Sequence, residues 1–140
     1  MRKNQSMLIN GPGELYAAKL LFQWRVIVGR RQHKRRVCEE RVILMRARTP
    51  AEALRKSKRY GANGSFTDHR KGRKVFFEFI GVVNLDSMLT DLNDHPAEVW
   101  YELREMLRPM ERKQRLLVPE KHMRAFEIPK PSRGRVYVYE

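Results

Sequence analysis

A long segment near the start of the chain alternates between two faces in the way that a β-strand does. From Leu15 to Val28 every even position is apolar, whereas the odd positions also include Lys19, Gln23 and Arg25. Because successive side chains of a strand point to opposite faces, the even positions form one continuous apolar face. Aromatic and β-branched residues, which are frequent in this segment, favour a half-buried pleated surface. The pattern therefore predicts the central strand of a small sheet, with its even face against the core.

The segment that follows predicts a hairpin with a basic tip and a second strand. Residues 29–36 break the apolar pattern and contain five Lys and Arg. Apolar residues return in a second predicted strand over residues 37–48, whose centre runs from Val42 to Met45. The basic residues are therefore expected where the chain turns between the first two strands.

A helix start follows directly after the second predicted strand. Thr49 is placed to accept a hydrogen bond from the backbone N–H of Glu52, whose carboxylate reaches back to the N–H of Thr49. Pro50 occupies the first helical position, where its missing N–H costs nothing. We predict a helix from Pro50 to Tyr60 that ends at Gly61, because glycine readily adopts the left-handed conformation of a C-terminal cap.

The rest of the chain predicts two more strands, a second helix and a tail. A short strand over residues 65–69 turns through residues 70–73 into a strongly apolar strand over residues 74–83. Gly81 in that strand marks a bulge or the close approach of a neighbour, and apolar side chains on both of its faces predict that both are covered. An amphipathic helix is predicted over residues 96–107. The remaining predictions are a mobile lead-in over residues 1–13, a weak helix over residues 110–128 that is broken at Pro119, a linker over residues 129–134 and a terminal strand over residues 135–140.

These elements assemble into a single α+β domain. We predict a mainly antiparallel sheet of about four strands in the order 2-1-3-4, with two or more helices packed on it. The domain covers residues 14–108 and is followed by a basic C-terminal extension over residues 109–140. In this order, the basic hairpin tip and the end of the first helix lie at one end of the sheet, and residues 70–74 lie at the opposite end.

Net charge narrows the range of partners. The chain has 140 residues with 30 Lys and Arg against 16 Asp and Glu, a formal charge of +14. Residues 19–74 hold 18 of the basic residues and only 4 acids, so this part of the chain carries the surplus. Such a surface attracts nucleic acid, an acidic protein face or an anionic membrane. The alternative is a solvated surface whose charge serves only solubility.

Two basic clusters are the strongest functional signal in the sequence. Cations on the hairpin tip, joined by those of the first helix, would straddle a phosphate backbone or dock on an acidic protein surface. The expected partner is therefore an acidic protein or a nucleic acid, and not a membrane. The candidate partner-binding residues are Arg30, Arg31, Lys34, Arg35, Arg36, Arg55, Lys56, Lys58 and Arg59.

Residues with the spacing of a catalytic or metal site are sparse. The four histidines lack metal-ligand spacing, and the single cysteine, Cys38, builds neither a zinc site nor an intrachain disulfide. Asp68 and His69 are adjacent and therefore point in different directions. Glu78 lacks the following lysine that a nuclease motif needs, and there is no phosphate-binding loop or dinucleotide signature. We therefore predict a protein with no enzymatic activity, no cofactor and no metal.

Aromatic residues along the strands have two interpretations. On an exposed sheet they would stack on nucleic-acid bases, but their spacing fits a buried core face better. The residues concerned are Tyr16, Phe22, Trp24, Phe77 and Phe79.

The expected location is the cytoplasm. A single cysteine fits a reducing compartment. The first ten residues contain no apolar stretch of the length of a signal peptide, and no run approaches the length that spans a bilayer.

Four short segments carry a recognisable pattern. They are YAAKLLF at residues 16–22, EERVIL at 39–44, AEA at 51–53 and FEFIGV at 77–82. Together they resemble the YAAKLLF, EERIVL, EEA and WEFVGV pattern of an uncharacterised bacterial family of small α+β domains, over about residues 14–90. Some similar small proteins are encoded beside secreted bacterial toxins, so the resemblance implies an immunity-type inhibitor. The chain departs from the family in its basic surplus and its long basic tail.

Two functions stay open at this point. In the first, the chain is a non-enzymatic inhibitor or immunity-type module that docks an acidic protein through a basic end. In the second, it is a nucleic-acid-binding protein that contacts phosphates through the same residues. The resemblance favours the first function and the charge favours the second.

Overall fold

The computed structural model of the protein describes residues 13–88 and 96–127. The predicted linker and terminal strand, and all but the last residue of the predicted lead-in, lie outside the described residues. The chain divides into two units, one that ends at Tyr101 and one that begins at Glu102. Each is described by itself.

The first unit has the predicted α+β fold, built on an antiparallel sheet. The strands predicted over residues 15–28, 37–48, 65–69 and 74–83 are all present, although the last of them extends four residues further than predicted. A fifth, very short strand follows the first turn. The strands are β1 (Glu14–Val28), β2 (Arg31–Gln32), β3 (Cys38–Ala47), β4 (Phe66–Arg70) and β5 (Arg73–Ser87).

The strand order differs from the predicted one. β1 lies at the centre, with β5 paired along one edge and with β3, then β2, paired along the other. β4 pairs with the outer edge of β5. The predicted order 2-1-3-4 counts the four predicted strands, so it placed the five-residue strand, which is β4 in the structure, next to β1. That order is wrong, because β5 lies next to β1 instead. The fifteen-residue β5 matches β1 in length and satisfies far more of its backbone hydrogen-bonding groups.

The helix α1 (Pro50–Asn63) packs on the sheet. Its N-terminal cap is confirmed in one direction, because the N–H of Glu52 donates to Thr49 Oγ1 at 3.1 Å. The carboxylate of Glu52 accepts from the N–H of Arg48 at 3.1 Å, and not from that of Thr49 as predicted. The N-cap residue is therefore Thr49, as predicted, and the carboxylate of Glu52 reaches one residue further back than the sequence pattern indicates.

Gly61 lies inside α1 and does not end it, contrary to the prediction. A Cβ placed on this buried glycine would lie 2.6 Å from Cζ of Phe79 and closer still to two other ring atoms. Its missing side chain therefore serves a close approach between α1 and β5. The helix continues to Asn63 and is capped by Gly64.

The core lies between α1 and the even face of β1, as predicted, and we call this side of the sheet the helix face. Leu20 and Phe22 are fully buried there together with Phe77 of β5. The rings of Phe22 and Phe77 stack with their centroids 4.9 Å apart. Tyr16 packs with Ala53 of α1. The interpretation of Tyr16, Phe22 and Phe77 as core residues is therefore confirmed.

β5 is irregular on either side of Gly81, which confirms the predicted bulge. The register between β1 and β5 skips Ile80 and Val83, and both side chains are 53% exposed. Val82, and not Val83, packs against the core. The opposite side of the sheet, which we call the second face, is therefore open at Ile80 and Val83, whereas the sequence predicted that it is covered.

Residues 96–107 do not form the predicted helix and contain no helix or strand. Of the side chains expected on its buried face, that of Trp100 is half-buried, and those of Val99, Leu103, Met106 and Leu107 are exposed, Leu103 to 89%. Most helical stability in proteins comes from packing of the apolar face, so an amphipathic pattern without cover does not suffice.

The second unit contains only short helical segments in its described part. The predicted helix over residues 110–128 is interrupted after Leu116, just before Pro119. No helix in the described ranges is long and apolar enough to cross a membrane. The segments are α2 (Lys113–Leu116), α3 (Arg124–Glu127) and single 3₁₀ turns at Met110–Arg112 and Glu120–His122.

Candidate functional site

Two β-hairpin turns lie side by side at one end of the sheet. The first, at Gly29 and Arg30, joins β1 to β2, and Gly29 has φ +61°, a conformation that suits glycine in a tight hairpin turn. The second turn, over residues 71–72, joins β4 to β5. Because Val28 pairs with Arg73, the end of β1 and the start of β5 are neighbours. Both turns therefore lie at the same end.

These turns concentrate positive charge. Arg70 forms an ion pair with Asp68 at 3.2 Å, and within residues 13–88 and 96–127 no other carboxylate pairs with the cations of the turns. Nε of Arg73 is buried and has no hydrogen-bond partner there. We call the cations of the two turns and of the strand ends beside them the basic end: Arg30, Arg31, Arg70, Lys71, Arg73 and Lys74. All six side chains are exposed except that of Arg73, which is half-buried.

The loop after β2 adds two further cations. Lys34 and Arg35 are exposed in this loop, which runs from Gln32, paired with Ile27, to Val37, whose carbonyl oxygen accepts from the N–H of Trp24 at 2.8 Å. Arg36 instead turns back towards β1, where its Nη1 donates to Oε1 of Gln23 at 3.1 Å. Four of the five candidate residues of the hairpin are therefore exposed, namely Arg30, Arg31, Lys34 and Arg35, and Arg36 is already engaged.

The candidate residues of α1 do not join the basic end. Lys56 donates to the carbonyl oxygen of Arg46 at 3.0 Å, and Arg46 pairs with Leu15 near the opposite end of β1. The last turn of α1 reaches the level of Phe22, which is about 20 Å along the strand from Val28 at ~3.3 Å per residue. The prediction that the two clusters meet is therefore wrong for Arg55, Lys56, Lys58 and Arg59.

The hairpin between β4 and β5 takes the place of the helix residues. The predicted strand order puts residues 70–74 at the far end of the sheet, whereas the observed order brings them beside residues 29–31. Strand length is the sequence signal that favours this pairing, because the predicted strand over residues 74–83 is twice as long as that over residues 65–69 and so closer to β1 in length.

An aromatic cluster lies on the helix face between α1 and the basic end. The ring of Trp24 has its centroid 4.6 Å from that of Phe77 and 5.8 Å from that of Phe66. Nε1 of Trp24 donates to the carboxylate of Glu39 at 3.1 Å, and Arg41 donates to the same carboxylate at 2.8 Å. These bonds fix the orientation of the indole. Trp24 is half-buried and Phe66 is 39% exposed, so the aromatic layer is partly open here.

Glu78 is the centre of a charged network on the second face. Arg25 donates to it through Nε at 2.7 Å and through Nη2 at 3.2 Å, and Gln23 donates at 3.2 Å. The hydrogen bonds from Arg25 lower the pKa of Glu78, and the same bonds raise the pKa of Arg25. The guanidinium of Arg25 also lies 4.1 Å from the ring centroid of Phe76. The charges of Arg25 and Glu78 are therefore paired with each other, and the network links β1 to β5.

The groups that could bind a metal do not cluster. Among the residues that the structure describes, no three His, Cys, Asp or Glu side chains lie close enough together to hold a metal ion. His33, His69 and His122 are exposed, and His95 lies outside the described ranges. Cys38 is a free, exposed thiol.

Comparisons with known proteins bear on the family of this chain. No curated protein and no solved structure is detectably similar to it. A family model described as a domain of unknown function, DUF4288, matches residues 15–101. The match covers more than half of the chain and includes α1 and nearly all of the sheet. The chain therefore belongs to the DUF4288 family, which confirms the resemblance seen in its sequence.

Proposed function

We propose that this chain is a non-enzymatic binding protein that contacts a polyanionic macromolecule through its basic end. The observation that carries the proposal is the pairing of Val28 with Arg73, which brings two basic turns together. Of the six cations there, only Arg70 has a carboxylate partner among the described residues. Like charges held close together repel one another, so this arrangement is most favourable when an anion neutralises it.

Two classes of polyanion fit a surface of this kind. The family resemblance favours an acidic protein and thus an inhibitor or immunity-type role. One structural observation favours nucleic acid, since the partly exposed rings of Trp24 and Phe66 lie on the face that leads to the basic end. We therefore place nucleic acid first and keep the inhibitor that docks an acidic protein as the second candidate.

Charge reversal in the two turns tests the proposal. The double variant Arg30→Glu/Lys71→Glu changes one exposed turn residue in each hairpin. The double variant Arg55→Glu/Lys58→Glu is its matched control, because it changes the net charge equally at exposed positions of α1, away from the basic end. Affinity is measured by fluorescence anisotropy with a labelled single-stranded oligonucleotide, a duplex and a polyglutamate peptide, each at several salt concentrations.

We expect the turn variant to bind the oligonucleotide at least about tenfold more weakly and the helix variant to change affinity by less than about twofold. Each phosphate contact contributes about 0.7 to the salt slope for a single strand, so loss of two contacts lowers the slope by about 1.4. Equal losses in the two variants would show that net charge alone matters and would overturn the proposal. Failure of the unmodified protein to bind any of the three probes would overturn it as well. Tighter binding of the peptide than of either nucleic acid would select the second candidate.

A further inference from the structure

α1 does not cover the helix face between Phe22 and the basic end, a stretch of about 20 Å of strand at ~3.3 Å per residue. Apolar side chains on this stretch reach solvent, among them Phe66, which is 39% exposed, Val28, which is 54% exposed, and Trp24, which is half-buried. A contiguous apolar patch with polar residues around it marks an interaction site on a protein surface.

The rings in this patch are held in place before any ligand arrives. Phe77 is buried beneath them, with its centroid 4.6 Å from that of Trp24 and 5.3 Å from that of Phe66. The hydrogen bond from Trp24 to Glu39 fixes the indole and occupies its only polar atom. A ligand that stacks here therefore loses little affinity to side-chain ordering. Because the indole N–H is already occupied, Trp24 offers such a ligand its ring surface and no free hydrogen-bond donor for a base edge.

Three arginines border the same patch. Arg31 and Arg73 both pair with Val28, one on each side of β1, and Arg70 pairs with Arg73. Directly opposed residues of neighbouring strands project from the same face, so these arginines lie on the face that carries the rings. A planar guanidinium binds phosphate through two parallel hydrogen bonds.

The carboxylates on this face are already engaged. Glu39 accepts from Trp24 and from Arg41, and Asp68 pairs with Arg70. Neither carboxylate therefore presents an unpaired negative charge to an approaching phosphate.

We propose that the partner of the basic end is a single-stranded nucleic acid, whose bases stack on Phe66 and Trp24 while its phosphates contact Arg31, Arg70 and Arg73. The inference rests on the proposed function and names its ligand class. A duplex keeps its bases stacked internally, whereas a single strand exposes the faces that aromatic side chains bind. An acidic protein surface would use the cations but has no comparable use for the rings.

Removal of the exposed ring is the direct test. Phe66→Ala removes a ring from the patch, and Tyr60→Ala is the matched control, because Tyr60 is a 52% exposed aromatic residue on α1. Stacking contributes about 1–3 kcal/mol per base, so Phe66→Ala is expected to weaken binding of a single-stranded oligonucleotide by at least about fivefold. Tyr60→Ala is expected to change affinity by less than about twofold. Phe66→Leu keeps an apolar side chain but removes the ring, so it separates loss of stacking from loss of stability. It should weaken binding of the oligonucleotide as Phe66→Ala does, even if the alanine variant is less stable.

Tryptophan fluorescence supplies an independent readout. The chain has two tryptophans, so the Trp100→Phe variant leaves Trp24 as the only tryptophan, whose emission is excited selectively over that of tyrosine. Stacking of a base on the indole should quench this emission on addition of the oligonucleotide. Heparin, a polyanion without bases, should bind the same protein without such quenching.

The outcomes separate this inference from the proposed function. Loss of affinity in Arg30→Glu/Lys71→Glu without any loss in Phe66→Ala or Phe66→Leu would overturn the stacking inference and leave the polyanion site in place. Duplex binding as tight as single-strand binding would overturn it too, as would tighter binding of polyglutamate. Weaker single-strand binding in both phenylalanine variants, together with quenching of Trp24 by the oligonucleotide and not by heparin, would support it.

Discussion

Replacement of Gly61 by alanine sets helix propensity against packing. In an exposed helix interior the change stabilises a protein by about 1 kcal/mol, because glycine is the poorer helix former. Gly61 is instead buried against β5, where a new Cβ would lie 2.6 Å from Cζ of Phe79 and closer still to Cδ1 and Cε1. Either the ring or the helix backbone must therefore move to admit one methyl group.

The surroundings of Phe79 decide which effect is larger. Its ring packs against that of Phe22 with a centroid distance of 5.4 Å, and Phe22 is fully buried. The ring of Phe79 is half-buried, so turning away from α1 would cost it packing against Phe22. An extra methyl group in a packed core costs about 1–3 kcal/mol. After the gain in propensity, we expect Gly61→Ala to lower the free energy of unfolding by about 1 kcal/mol and the Tm by about 5 °C.

Urea and thermal unfolding followed by circular dichroism measure this change. Gly64→Ala is the control, because a Cβ at this helix cap, whose φ is −80°, meets no atom nearer than 3.4 Å. It should stay within about 0.5 kcal/mol of the unmodified protein. In a double-mutant cycle, Phe79→Leu should remove most of the penalty of Gly61→Ala. A Gly61→Ala protein more stable than the unmodified one would refute the packing argument.

Two further predictions concern the cap and the ion pair. Thr49→Ala removes the acceptor for the N–H of Glu52 and should lower the free energy of unfolding by about 1 kcal/mol in urea titrations; an unchanged value would show that the cap contributes nothing. The folded-state pKa of Glu78 lies below its usual value of 4.5 because Arg25 donates to it, so the pair stabilises the fold above that pH and is lost as the pH falls through the lowered pKa. Glu78→Gln should therefore reduce stability by about 1 kcal/mol at neutral pH, the pair being partly exposed, with a difference that shrinks towards zero in acid. A difference that is the same at neutral and acid pH would contradict this account.

Local patterns could be read from the sequence because the interactions behind them are local. Alternation over residues 15–28 identifies β1, and the cap at Thr49 involves atoms only three residues apart. Strand order depends instead on which distant segments pair, and alternation carries no information about that choice. The prediction that residues 70–74 lie far from the first hairpin is wrong for this reason.

Gly61 and residues 96–107 show how a sound local signal can mislead. Glycine is common just beyond a helix, but it is also needed where a ring approaches a helix closely, and the sequence does not show Phe79 in that position. The amphipathic pattern over residues 96–107 shows an apolar face without showing whether anything covers it. In both cases the missing information is a tertiary contact.

The candidate residues of α1 lie away from the basic end because a helix rises less per residue than a strand does. The fourteen residues of α1 span about 21 Å at ~1.5 Å per residue, whereas the fifteen residues of β1 span about 50 Å at ~3.3 Å per residue. A helix that starts beside Glu14 therefore ends near the middle of β1, and its cations cannot reach the turn at Gly29. This comparison needs only the element lengths, so it was available from the sequence. The same mismatch leaves the helix face beyond Phe22 uncovered by α1, so the geometry that separates Lys58 from the basic end also exposes the rings beside it.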